Sequence, residues 1–203
     1  DASRMGMYQQ ASKLAMLASH TRPTVPHRAF ELQMEEMFGR RFVYDETENN
    51  LVAIDLPAEQ VRAEAWQELL ATLADAPQLG SAQAYSRASN VAVRNRSAGF
   101  YTEMINVIEA SLETHPGRVT SYGLQTLSAL YLWSEGADWE ENYWRAVEAS
   151  IQQLSTESPR VNWAPHTARE LIEEAGSIGE LARLAEIASR YQVDLAKIAT
   201  TQQ

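Results

Sequence analysis

Cysteine is absent from the 203 residues, which excludes disulfide bonds, cysteine-ligated zinc, iron–sulfur clusters and a thiol nucleophile. No apolar run approaches the length of about eighteen residues that a membrane span needs, so the sequence predicts no transmembrane helix. Lysine is scarce, with two among seventeen basic side chains, and twenty-seven acidic side chains bring the formal charge to −10. Hydrophobic residues make up 45 % of the chain, which excludes a disordered polymer.

The negative charge decides which partners the sequence favours. A nucleic-acid surface needs clustered lysine and arginine, and the candidates are Arg40–Arg41 and the set Arg87, Arg94 and Arg96. On a helix Arg87 and Arg94 share a face but Arg96 does not, so we interpret these arginines as a solvated face and expect no nucleic-acid binding. A basic protein surface suits the charge better, with a salt-sensitive association rate.

Helix formers dominate, with thirty alanines and twenty-one glutamates against nine glycines, and predict an all-α fold. The positions of proline, glycine and capping residues predict helices at about 3–19, 24–38, 55–75, 79–95, 98–114, 120–134, 138–155, 165–175 and 177–191, with a short one from 194. Two β-prone runs within 42–54 predict a small hairpin. Asp138 with Glu141 and Ser177 with Glu180 predict capping boxes, and Gly39 and Gly176 are each expected to end a helix.

Recurring pairs of apolar helices joined by short turns set the predicted domain organisation. Residues 57–203 are expected to form a helical-repeat domain, in which antiparallel helix pairs stack into a short α-solenoid. Residues 1–56 are expected to form an N-terminal arm with one or two helices, which includes an extended proline-containing link and wraps a neighbouring protein.

Residues 165–194 resemble one pentatricopeptide-type repeat. That family has a leucine–isoleucine pair in its first helix, a glycine in the turn, and a pattern of hydrophobic residues and alanine in its second helix. A glycine or polar residue, a valine, and a proline or acidic residue follow. The matching positions are Leu171, Ile172, Gly179, Leu181, Leu184, Val193 and Asp194. The glycine and proline that usually flank the valine are replaced by Gln192 and Asp194. Residues 121–155 and 60–94 fit the pattern more loosely.

The resemblance implies two alternative functions. Plant-type members bind single-stranded RNA at one base per repeat. A short, acidic, irregular relative is more similar to a protein-binding derivative, such as the accessory subunit on the F1 head of euglenozoan mitochondrial ATP synthases. A non-catalytic subunit of a larger assembly is therefore the leading hypothesis, in mitochondria or otherwise in the cytoplasm. A chain that starts at Asp1 rather than methionine is expected to be a processed product.

No motif predicts catalysis, a metal or a cofactor. The four histidines stand apart, without a HExxH arrangement, and phosphate-binding glycine motifs and Gly-x-Ser-x-Gly are missing. The pairs Glu35–Glu36, Glu140–Glu141 and Glu173–Glu174 point about 100° apart on a helix and are interpreted as solvated faces. An enzyme whose site assembles from distant positions stays open as an alternative.

Aromatic residues cluster between 131 and 144. Trp139 and Tyr143 share a helix face by their four-residue spacing, and Trp144 points about 100° away. Such rings do not all fit one thin helix-pair core. We therefore predict that at least one of Trp139, Tyr143 and Trp144 is exposed in the free protein and buried by a protein partner.

Overall fold

A computed structural model describes residues 10, 14, 25–45, 47, 50–75, 81–95, 98–115, 119–134, 138–157 and 163–201. Helices hold 81 % of these residues, which confirms the all-α prediction. The chain forms two compact units, unit 1 (Asp1–Phe100) and unit 2 (Tyr101–Gln203). In the described ranges, every helix is too short or too polar to cross a bilayer.

The elements follow one another with short connections. They are α1 (Val25–Phe38), β1 (Phe42–Asp45), β2 (Asn50–Ala53), α2 (Ala58–Asp75), α3 (Ser81–Asn95), α4 (Ala98–Thr114), α5 (Ser121–Ser134), α6 (Trp139–Thr156), α7 (Ala164–Ser177), α8 (Leu181–Arg190) and α9 (Leu195–Ala199). The predicted helix at 3–19 lies outside the described residues, apart from Gln10 and Leu14, which are helical.

In unit 1, α1 packs against both α2 and α3. The predicted boundary at 56/57 does not coincide with the division at Phe100, because this packing joins α1 to the helices that follow it. Whether 1–56 wraps a neighbouring protein stays a prediction. The buried core of the unit consists mainly of aliphatic side chains: Leu32, Val61, Leu69, Leu73, Val91 and the ring of Trp66.

Gly39 ends α1, as predicted. Its φ of +61° is left-handed, and its amide donates to Glu35 O at 2.7 Å. A β-carbon at this position would lie 2.7 Å from Ala58 Cβ, so glycine is required by space as well as by conformation. The predicted hairpin follows directly: β1 and β2 pair antiparallel, with Val43 opposite Val52.

Ion pairs join α1 to α2. Glu35 is buried and accepts a hydrogen bond from Arg41 Nε at 2.8 Å. The same guanidinium lies 2.9 Å from a Glu64 carboxylate oxygen and 3.4 Å from one of Glu68. Burial raises the pKa of Glu35, and the hydrogen bond from Arg41 opposes that shift. The prediction of a solvated face at Glu35–Glu36 is therefore wrong, since both carboxylates are buried in unit 1.

Unit 2 is organised around α5, whose residues from Ser121 to Tyr131 are all buried. A helix that is buried on every side needs neighbours on every side. Helices α6 and α7 pack against α5, α8 packs against α6 and α7, and α9 packs against α7. Gln125 and Ser128 are among the buried polar residues of this interior, so each must find a hydrogen-bond partner there.

The two predicted capping boxes do not form. Asp138 precedes α6 without a side-chain capping bond, and α7 continues through Ser177, whose hydroxyl donates to Glu174 O. Gly179, rather than Gly176, ends α7: its φ is +77°, and the amide of Glu180 donates to Ala175 O at 2.8 Å. This is a Schellman arrangement, which requires the left-handed residue one position beyond the helix cap.

Candidate functional site

The three aromatic residues predicted as partner anchors lie in the first two turns of α6 and contact one another. The ring centroids of Trp139 and Tyr143 are 6.4 Å apart, and Tyr143 meets Trp144 edge to face at 4.9 Å. Tyr143 is 0 % exposed and Trp144 4 % exposed, whereas Trp139 is half-buried. Of the three, Trp139 offers ring surface to solvent. A partner-binding role for the group stays a prediction.

The polar atoms of the two buried rings are not satisfied. Neither the Tyr143 hydroxyl nor Trp144 Nε1 has a hydrogen-bond partner among the described residues. Burial and, to a smaller extent, the negative charge of Glu174 raise the pKa of the Tyr143 hydroxyl above its ordinary value, so the phenol stays neutral. Both rings therefore act in the interior packing of unit 2, at the cost of two unpaired polar groups.

A charged cleft of about 330 Å³ lies between α6 and α8. The guanidinium of Arg183 stacks 4.5 Å from the centre of the Trp144 ring and lies 3.3 Å from a Glu140 carboxylate oxygen. The other arginines of the cleft are paired too, Arg145 with Glu141 at 2.9 Å and Arg190 with Glu148 at 3.0 Å. Because each guanidinium already has a carboxylate partner, the cleft does not present free positive charge to an anion.

An apolar groove of about 430 Å³ lies on another side of α8. Its floor includes Leu184 and Ala188, which are buried, while Leu181 at one end is 50 % exposed. The polar groups in its lining are Ser189 and Asp194. The Asp194 carboxylate accepts a hydrogen bond from the amide of Lys197 at 2.9 Å and thereby caps α9, as predicted.

No family model, curated protein or solved structure matches the chain. The chemistry of unit 2 therefore has to be argued from its own residues. In the part of the chain that the structure describes, no group of three or more histidine, aspartate or glutamate side chains could hold a metal ion. His166 stacks on the ring of Tyr122 with centroids 5.3 Å apart, which is a packing contact.

Glu174 is the most perturbed carboxyl group of unit 2. It is 8 % exposed, and its two oxygens lie 2.6 Å from Gln125 Nε2 and 3.0 Å from Ser128 Oγ. Burial raises its pKa from 4.5 to about 8, the two hydrogen bonds oppose that shift, and the nearby Glu170 adds to it. The prediction of a solvated pair at Glu173–Glu174 is half wrong: Glu173 is exposed, but Glu174 points inward.

The hydrogen count around Ser128 supports the neutral form of Glu174. Ser128 Oγ lies 2.7 Å from Gln125 O as well as 3.0 Å from the Glu174 carboxyl, yet a hydroxyl has a single hydrogen. If Ser128 donates to Gln125 O, a protonated Glu174 can donate to Ser128 Oγ and accept from the Gln125 amide. Glu174 lines neither cavity, so it fits an interior structural group better than an acid–base catalyst.

Three of the five arginines that were candidates for a nucleic-acid patch, Arg41, Arg87 and Arg94, have partners within unit 1. Arg40 is exposed, and Arg96 lies outside the described residues. Arg41 binds three carboxylates, and Arg94 pairs with the buried Glu36. Arg87 donates to Gln33 at 3.0 Å and lies over the ring of Phe30 at 4.6 Å. They are neither a free basic patch nor a purely solvated face, because they serve the packing of α1.

Trp133 is an aromatic residue that the sequence prediction did not select. It lies in the last turn of α5, is 44 % exposed and contacts the ring of Tyr101 at a centroid distance of 6.4 Å. Its neighbour Tyr131 is buried and donates its hydroxyl to Glu109. The sequence signal for its exposure was its place near the predicted end of a helix, where a tryptophan can lie outside the core even when the rest of the helix is buried.

Proposed function

We propose that the chain is a non-catalytic helical subunit that docks on a basic surface of a larger protein assembly through unit 2. The observation that carries the proposal is the distribution of charge. Unit 2 holds seven basic side chains against fifteen acidic ones, a formal charge of −8, whereas unit 1 holds ten against twelve, a formal charge of −2. A field of one sign concentrated on one unit attracts a partner of the opposite sign.

Protein is a better partner than nucleic acid for this unit. Phosphate binding requires arginines and lysines that are free to release counterions from the polyanion. In unit 2 the arginines of the charged cleft are already paired with carboxylates, and in unit 1 Arg41 and Arg94 of the candidate patch pair with buried glutamates of α1. The exposed ring of Trp133 supports a protein partner, because tryptophan is a frequent anchor at protein interfaces.

The pentatricopeptide resemblance supplies the first assembly to test, the F1 head of a mitochondrial ATP synthase, and a mitochondrial location. One local feature supports the repeat resemblance itself. Gln192 has a left-handed φ of +57°, at the position where the family pattern has glycine. The amide of Val193 donates a hydrogen bond to Ala188 O at 2.9 Å, which closes the end of α8 there. A glutamine in the conformation that suits glycine is what a diverged repeat would contain.

Affinity purification from the native source, with identification of the co-purifying chains, tests the proposal. We expect a stable set of protein partners whose yield falls as salt rises from about 50 to about 500 mM. Charge reversal at three exposed glutamates (Glu113, Glu173 and Glu180 to lysine) should reduce that yield, since it lowers the negative charge of unit 2. A chain that purifies alone as a monomer would refute docking, and RNA recovered in place of protein would favour the alternative.

A further inference from the structure

The apolar groove runs along one complete side of α8. Its lining residues on this helix, Leu181, Leu184, Ala185, Ala188 and Ser189, recur at intervals of three and four residues. That spacing places them in one stripe, about 15 Å long on a ten-residue helix. Three of the five are alanine or serine, and small side chains let a second helix approach closely.

The opposite side of α8 is already occupied. Arg183 and Arg190 pair with carboxylates of α6, and Ile187 is buried. The groove side is the one left open, because Leu181 is half exposed and Ala185 is exposed at the middle of the stripe. An apolar stripe of this length matches one helix face, rather than a compact ligand that would fill a closed pocket.

Charge decides between the possible occupants. Asp194 is the one ionisable side chain among the described lining residues, and no cation lines the groove. A second copy of the chain would bring another unit of charge −8 against the first, which opposes self-association. A helix with basic flanks is instead attracted by the negative charge of unit 2, while its apolar face contacts the stripe.

We propose that this groove binds one amphipathic helix of a basic partner protein, with apolar residues at i, i+3 or i+4, and i+7 in the groove and lysine or arginine at its flanks. The proposal rests on the docking function proposed above and assigns the place and the partner chemistry. It is independent of the three aromatic residues of α6.

The test uses the full chain and a fluorescein-labelled peptide of leucine, alanine and lysine, about eighteen residues long so that it forms a helix. Its leucines follow the i, i+3, i+4, i+7 pattern. A second peptide has the same composition and charge with the leucines scrambled. The protein variants are Ala185→Gln, which fills the groove, and Ala182→Gln, a matched control on the same helix. Ala182 is exposed too but does not line the groove.

By fluorescence anisotropy, we expect the patterned peptide to bind the wild type and to lose about tenfold or more in affinity with Ala185→Gln. Ala182→Gln should change the affinity by less than about twofold, and the scrambled peptide should bind more weakly. Circular dichroism checks that both variants remain helical. Absence of binding to the wild type, equal binding by the Ala185→Gln variant, or equal binding of the scrambled peptide overturns the proposal.

Two further outcomes separate this proposal from the general docking function. If native partners co-purify with the Ala185→Gln variant as well as with the wild type, docking survives and the groove is not its site. If sedimentation shows a dimer that Ala185→Gln dissociates, a second copy covers the groove and the basic partner helix is refuted.

Discussion

Replacement of Glu174 by glutamine should make unit 2 more stable at neutral pH. In the unfolded chain this carboxyl group ionises with its ordinary pKa of 4.5, and in the fold its pKa is raised to about 8. Between these two pH values the folded state holds one more proton than the unfolded state. Stability is therefore full below pH 4.5 and falls as the pH rises towards 8.

The size of the effect follows from the shift. Each pKa unit corresponds to about 1.4 kcal/mol, so the wild type loses about 3 kcal/mol between pH 4.5 and pH 7 and about 4 kcal/mol by pH 8, where the folded carboxyl group is half ionised. Glutamine has the shape of the protonated acid: its oxygen can accept from Gln125 and its amide can donate to Ser128. Glu174→Gln should thus match the wild type near pH 4.5 and exceed it by about 3 kcal/mol at pH 7.

Equilibrium unfolding in guanidinium chloride, followed by far-UV circular dichroism between about pH 4.5 and pH 8, measures this difference. Glu173→Gln is the matched control, because it makes the same carboxyl-to-amide change at the exposed neighbour on the same helix. Other titrating groups change both profiles equally and cancel in the comparison. If the free energies of unfolding of the wild type and Glu174→Gln run parallel over this range, Glu174 is ionised in the fold and the argument from burial fails.

Two further substitutions test unit 1 and the helix ends. Gly39→Ala should lower the free energy of unfolding by about 2–3 kcal/mol, since it combines a left-handed φ with a steric clash. Gly179→Ala should lower it by about 1 kcal/mol, because Gly179 has a left-handed φ but open space around it. Equal costs would refute the clash. Arg41→Ala should cost about 2–4 kcal/mol because it leaves the buried Glu35 without its cation, while Arg40→Ala at the exposed neighbour should stay within about 0.5 kcal/mol. Arg41→Ala should cost less free energy of unfolding in a Glu35→Gln background than in the wild type. A cost that is small and the same in both backgrounds would contradict this assignment.

Most of the helices and the hairpin were predictable, because proline, glycine and the β-prone runs act locally. Gly39 ends α1 and the β-prone runs within 42–54 pair, as the sequence predicted. The predicted capping box of Ser177 with Glu180 failed because Ser177 still belongs to the preceding helix. Ser177 bonds back to Glu174 O and stays helical, which moves the helix end to Gly179.

The interior polar groups of unit 2 were not predictable from adjacent pairs of acidic residues. A pair such as Glu173–Glu174 places one side chain about 100° from the other, so one faces the core whenever the helix is packed on that side. Which one turns inward depends on the neighbouring helix. The available signal was the polar pair Gln125 and Ser128 on α5, since buried polar side chains need a polar partner.

Charge and groove make separable contributions to the proposed docking. The charge of unit 2 acts over a distance comparable with the Debye length, so it accelerates encounter with a basic partner and loses that effect in salt. The apolar stripe of α8 acts on contact, so it governs how long the partner stays. Reversal of the exposed glutamates should therefore mainly slow association, whereas Ala185→Gln should mainly speed dissociation. A groove variant that slowed association and left dissociation unchanged would mean that α8 lies outside the interface.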